Sequence, residues 1–213
     1  MQKLAAFLIA ILVSTITLAA DLQAGRDYIV IEPPLQGTKG KIEVVEFFSY
    51  ACPHCRDFHP HISRWAAKLP KDVSFRRIPV SFDRTPWARL ARIFYALERT
   101  GDLAKLDTAV FVALHDERVN FNSDEAVVAW AAKKGVDGKK FADTLTSFAI
   151  ESKVKRGDQD AIAARIQGVP ALVIDGRYLM VNDAAGQNAL MDGELLKAAD
   201  RMIAKARLDR KSK

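Results

Sequence analysis

Lys41–His61 reads KIEVVEFFSYACPHCRDFHPH, and the rest of the chain is organised around it. Ile42 to Phe48 is β-branched and aromatic, the composition of a buried strand. Ser49, Tyr50 and Ala51 make a short turn, and the segment from Cys52 to Trp65 reads as a helix. A Cys-Pro-His-Cys placed between a strand and a helix start is a redox motif, because that setting favours the thiolate that does the chemistry. Cys52 and Cys55 are the only cysteines in the chain. The partner of either is therefore the other, or lies on another molecule.

Three local effects favour a thiolate at Cys52. The free backbone N–H groups of a first helical turn point at a group in that position. The helix dipole places partial positive charge there. His54, when protonated, adds a cation, and Pro53 suits an early helical position because its missing N–H is not needed. Cys55 lies about one turn further in and is expected to be more buried. This assigns Cys52 as the sulfur that attacks or is attacked, and Cys55 as the one that resolves the mixed disulfide. A low thiol pKa also makes Cys52 a good leaving group, so a disulfide is easily passed on. The dithiol fold should then be the more stable one at neutral pH, and the protein an oxidant.

Upstream, Met1–Ala20 has one cation at Lys3, an apolar run from Leu4 to Val13 and a small-residue stretch to Ala20. That is the layout of a secretory signal, with cleavage expected after Ala19 or Ala20. The competing reading is an uncleaved anchor, but Ser14, Thr15 and Thr17 dilute the run and no cationic stop follows. Export implies an oxidising compartment, where a cysteine pair persists as a disulfide. About 190 residues remain, enough for one domain with an insertion. The net charge is +6, or +5 without Lys3, and the charges are scattered. Scattered cations on an exported chain argue against nucleic acid. Lys205 to Lys213 reads as a frayed, solvated tail.

Tyr28 to Pro33 reads as a short edge strand stopped by Pro33-Pro34. Within the strand from Lys41 to Phe48, Glu46 falls on the side shared by Val44 and Phe48, where a carboxylate needs a partner or a proton. The strand Val73–Val80 offers Arg77, which alternates with Val73 and Phe75. Glu46 and Arg77 are expected to face each other under the active site; the bland alternative puts both at an edge, reaching water. Pro60 is expected to kink or interrupt the helix that starts at Cys52. His59 and His61 read as surface histidines. Their spacing from the cysteines also raises a metal site, against which close ligands on one helix point to different faces.

From Thr85 the apolar period changes from 2 to 3.6. Helices are predicted from Thr85, from Gly101-Asp102, from Asn122–Glu125 to Gly135, over Lys139–Thr146 and over Phe148–Ile166. Their aromatic stripes read as core. Ala171–Ile174, Asp175-Gly176 and Arg177–Val181 form a hairpin signal, with Asp-Gly suited to a type I′ turn. Val169-Pro170 reads as a cis bond, or more plainly as a strand start. A last helix is expected from Asp192 to Ala206.

Strand, CPHC at a helix start, strand, helical block, Gly168-Val169-Pro170-Ala171, hairpin and helix: this order resembles the thioredoxin fold with a helical insertion. Glu46-Phe47-Phe48, the CPHC dipeptide choice and Gly168–Ala171 make the chain similar to the DsbA-type periplasmic thiol:disulfide oxidoreductases over nearly all of its mature length. The resemblance implies an α/β, thioredoxin-like fold with an inserted all-helical domain: signal 1–20, thioredoxin-like parts 21–82 and 167–213, helical insertion 83–166. It implies Cys52 as the reactive thiol and Cys55 as the resolving one, with Pro53 and His54 between them. Pro170 would be the cis-proline beside them, and Val169 would offer backbone hydrogen bonds to an extended substrate. Glu46 matches the family's buried acid, Arg77 replaces its usual lysine partner, and Pro79 replaces the usual histidine of that strand. Arginine stays charged, which bears on any proton relay. The implied partners are newly exported cysteine-containing proteins and a DsbB-like quinone-linked membrane reoxidase. The expectation is a monomer with no cofactor beyond the Cys52–Cys55 disulfide, no metal, and an apolar surface around the disulfide. The rival readings are a reductase or isomerase on the same fold, and a metal- or thiol-binding chaperone without turnover.

Overall fold

The computed structural model describes residues 22–38, 40–181 and 193–212. The expected signal segment, and Asp192 as the start of the last helix, lie outside the described residues.

The central strand is β2 (Ile42–Phe48), all seven of whose residues are buried. A strand covered on both faces is apolar on both, which is why Val44, Val45, Phe47 and Phe48 do not alternate with exposed residues; the two acids in the strand, Glu43 and Glu46, are buried as well. It pairs in parallel with β3 (Val73–Pro79) and antiparallel with β4 (Ala171–Ile174). Next come β5 (Tyr178–Met180) and, at the edge, β1 (Tyr28–Val30), giving the order β1-β5-β4-β2-β3. The edge position expected for the first strand is observed. The β4–β5 turn places Asp175 at φ +59° and Gly176 at φ +65°, both left-handed as a type I′ turn requires. A Cβ at Gly176 would lie 2.4 Å from the Leu35 carbonyl oxygen, so this position also needs glycine for space.

One sheet face is covered by α1 (Pro53–Ala66) and α7 (Glu194–Lys211), through Phe58, Ile62, Leu196, Met202 and Ile203 packed on Val44, Leu172 and Ile174. Between β3 and β4 stand α2 (Thr85–Thr100), α3 (Leu103–His115), α4 (Asp124–Lys133), α5 (Gly138–Leu145) and α6 (Phe148–Ala163). The end of α6 and the residues just after it cover the other face through Ala161, Ala164 and Ile166. The remaining helices form their own core, which also takes in Phe48, Tyr50, Cys52 and Cys55. The two cysteines thus sit at the seam between sheet and helical layer.

Two expectations are corrected here. Pro60 does not interrupt α1, which runs unbroken from Pro53 to Ala66. Pro60 is exposed and Arg56 only partly buried, so the carbonyl deprived of its N–H partner faces the water side of the helix. Over the described residues 205–212 the chain is not a frayed tail: α7 continues to Lys211. Arg207 pairs with Asp72 at 2.6 Å, and Arg210 donates to the Lys41 carbonyl at 2.8 Å and pairs with Asp175. Trp65 Nε1 donates to Asp200 at 2.9 Å, which fixes α7 against α1.

Candidate active site

Cys52 is the N-cap of α1, with extended backbone (φ −87°, ψ 118°) and Pro53 at the first helical position. Both cysteines are unbridged. The Cys52 thiol is lowered from about 9 to about 6. The largest cause is the hydrogen bond donated by the Cys55 thiol, which the sequence reading had not included. Burial opposes it, while the backbone N–H groups of Cys55 and His54 and the charge of His54 add to the lowering. Cys55 is wholly buried, and that burial pushes its thiol well above the ordinary value. Environments that drive two adjacent groups apart in this way separate their roles. At neutral pH Cys52 is largely thiolate and Cys55 a thiol.

The Val169–Pro170 peptide is cis, as the sequence predicts; Glu32–Pro33 is cis as well, which it did not. In its protonated form the Cys52 thiol donates to the Val169 carbonyl at 3.2 Å. The Gly168–Ala171 loop is therefore in contact with the Cys52 sulfur. Beside it lies a groove of about 400 Å³ lined by Ile166, Val169, Pro170, Leu179 and Met180, with Arg165 and Gln167 among its polar residues. Pro53 and His54 are exposed. The surface on the loop side is thus mixed, with polar and apolar groups side by side, and not the apolar surface expected around the disulfide.

Beneath the cysteines, Glu46 and Arg77 are register partners on β2 and β3, and Arg77 Nε donates to Glu46 Oε2 at 2.7 Å. The alternative with both groups reaching water does not hold: the side chains are 0% and 8% exposed. Burial raises the Glu46 carboxyl, with Arg77 opposing. Burial works against the Arg77 charge, but Glu46 and Asp107 outweigh it and hold the guanidinium firmly protonated. The cation also lies 3.8 Å from the centroid of the Phe48 ring. Pro79 ends β3, opposite Phe48 and buried.

Sequence reasoning missed Asp107 of α3, whose Oδ2 accepts from Arg77 Nη1 at 2.5 Å and whose Oδ1 accepts from the Tyr50 hydroxyl at 2.6 Å. A signal existed. Asp107 stands on the stripe of Leu103, Val110 and Leu114, an acid at an apolar-face position. His59 is not a surface residue. It is buried, with Nε2 at 3.2 Å from Thr108 Oγ1 and 3.7 Å from Asp107 Oδ2, and burial followed by Arg77 lowers its pKa. His115, also missed, makes a 2.7 Å bond from Nε2 to the Tyr50 carbonyl and ties α3 to the turn before Cys52. Among the described residues no group of three His, Cys, Asp or Glu side chains is clustered as metal ligands.

Residues 43–192 match the family model of the DSBA-like thioredoxin domain. The chain is 38% identical over 192 residues to the thiol:disulfide interchange protein DsbA of Bordetella parapertussis, covering 89% of this chain and 88% of that one. Against DsbA of Pseudomonas aeruginosa it is 39% identical over 190 residues, with the same coverage of both chains. The crystal structure of Pseudomonas aeruginosa DsbA superposes with a TM-score of 0.82 at 38% identity, covering 91% of this chain and 98% of that one. That of DsbA from Xylella fastidiosa gives 0.79 at 28% identity, covering 88% and 98%. With this fold, this cysteine pair and these relatives, the chain belongs to the DSBA-like thioredoxin domain family.

Proposed function

We propose that the chain is a thiol:disulfide oxidoreductase that works as an oxidant, donating its Cys52–Cys55 disulfide to newly exported proteins. Family membership supports the exchange activity, and the depressed Cys52 thiol carries the direction. A substrate thiolate attacks Cys52 Sγ, the Cys52–Cys55 bond breaks, and Cys55 departs and takes up a proton. A second substrate thiolate then attacks the substrate sulfur of the mixed disulfide and expels Cys52 as a thiolate. The substrate loses two electrons and gains a disulfide, and the protein is left as a dithiol. Cys52 leaves easily because its thiolate is stabilised where it stands. Cys55, protonated while the mixed disulfide lasts, is slow to reverse the step. Neither the disulfide nor the thiolate of Cys52 has a proton to give to the Val169 carbonyl, so in both forms that carbonyl can accept from an extended chain beside Pro170.

The cycle closes when a DsbB-like quinone-linked membrane partner reoxidises the dithiol. Residues 1–20 act as a cleaved export signal, and the mature chain works as a monomer in the periplasm. The domain organisation follows the same reading, with the helical insertion over 83–166 between thioredoxin-like parts. The test is to express Cys55→Ala in an exporting cell and identify what is joined to Cys52 under non-reducing conditions. Disulfide-bonded adducts with several secreted proteins, absent from Cys52→Ala, are expected. Absence of adducts, or equal adducts with both variants, overturns the donor reading.

A further inference from the structure

Arg77 is one cation held between two carboxylates: Nε bonds Glu46 on the neighbouring strand, and Nη1 bonds Asp107 on α3. One guanidinium neutralises one of them, and the second must be solvated or carry a proton. The two acids differ in what else they have. Asp107 retains 18% side-chain exposure and a second hydrogen bond from Tyr50. Glu46 is 0% exposed, and among the described residues its Oε1 has no hydrogen-bond partner. A proton is held most favourably on Glu46.

We propose that Asp107 is a positioning residue of the redox site: by taking the second arm of Arg77, it leaves Glu46 as a neutral, proton-carrying acid instead of half of a closed ion pair. The inference rests on the proposed function only in treating Cys52 and Cys55 as the redox pair. The charged and titratable groups facing the cluster are Cys55 and His59 from α1, Glu46 from β2, Tyr50 from the turn after it, Arg77 from β3 and Asp107 from α3. Burial pushes the Tyr50 hydroxyl and the Cys55 thiol well up, so both stay neutral. His59 is held down by burial and by Arg77, and adds no charge at neutral pH. The cluster is then balanced, with Arg77 against Asp107 and Glu46 uncharged. The Glu46 carboxyl is raised by burial against the opposing charge and hydrogen bond of Arg77, with Asp107 adding the smallest push in the same upward direction. This balance also explains how a site with an arginine in place of lysine keeps a titratable proton: the proton belongs to the carboxyl group, and the arginine's charge is balanced by Asp107.

Infrared spectroscopy of the purified, reduced protein tests this without substrate or reoxidant, so failure of the donor reading in the trapping experiment leaves its outcome distinct. A carbonyl band of a protonated carboxylic acid at neutral pH, lost in Glu46→Gln, is expected. Asp107→Asn should abolish that band, because Arg77 then has Glu46 alone as its counter-ion, and Asp107→Glu should keep it. A band unchanged in Asp107→Asn overturns the proposal. Should Asp107→Asn fail to fold, the pH titration of the wild-type band decides. A midpoint above neutrality supports the proposal, and one near the ordinary carboxylate value of 4.5 overturns it.

Discussion

Lowering the pH should strip the reduced protein of its stability advantage, by an amount set by Cys52. Its thiol falls from about 9 to about 6 on folding, and solvent screening at this partly accessible sulfur makes the energies that follow upper bounds. A group whose pKa is depressed on folding contributes its full stabilisation above the unfolded value and loses it as pH falls through the folded one. At about 1.36 kcal/mol per pKa unit, this is about 2.7 kcal/mol at pH 8, about 1.4 at pH 7 and under about 0.1 at pH 5. The disulfide form has no thiol at this position and lacks the contribution altogether. Closing the short Cys52–Cys55 loop contributes equally to that form at every pH, so the pH dependence of the difference isolates the thiolate. Urea unfolding of both forms at pH 8, 7 and 5 should show the reduced-minus-oxidised stability dropping by about 2.5 kcal/mol across the range. A difference that stays flat refutes the reasoning.

Replacing the buried cation by Arg77→Met leaves Glu46 and Asp107 without their shared partner, and should destabilise the fold by about 3–5 kcal/mol in chemical denaturation. Gly157→Ala should destabilise α6 even though alanine is the better helix former by about 1 kcal/mol. The added Cβ would meet Ile78 Cγ2 at 2.9 Å and the Pro79 carbonyl oxygen at 3.3 Å, an overpacking that costs about 1–3 kcal/mol; an unchanged or raised melting temperature contradicts this. Arg207→Ala removes an ion pair to Asp72 whose side chains are 36% and 52% exposed, and should change stability by less than about 1 kcal/mol. Hydrogen exchange at the end of α7 should nevertheless be slower than in a frayed tail, because Arg210 still holds the Lys41 carbonyl and Asp175.

Most of the architecture was legible because its signals are local. A β-branched and aromatic run marks β2, the helical stripes mark the inserted layer, and Asp175-Gly176 marks the β4–β5 turn. The Glu46–Arg77 pair was legible for a related reason, since a carboxylate inside a buried strand demands a partner and an alternating arginine on the next strand supplies one. The features that escaped depend on where helices dock. Asp107 is 30 residues from Arg77 in the chain, and nothing local says which strand α3 will cover. The burial of His59 follows from that same docking, with Thr108 and Phe111 of α3 closing over it. The C-terminal cations looked solvated because their acceptors, Asp72 and Asp175, belong to loops at the far ends of other strands. For Cys52 the sequence identified the helix N–H groups and His54 but not the stronger donor. That donor is the Cys55 thiol, which folding turns towards it.

The central claim is that folding stabilises the charge on Cys52 sulfur. Titrating the thiolate absorbance of the reduced wild-type protein, with Cys52→Ser as the blank, tests it directly. A midpoint of about 6 is expected. A midpoint near 9, that of an ordinary cysteine, contradicts it.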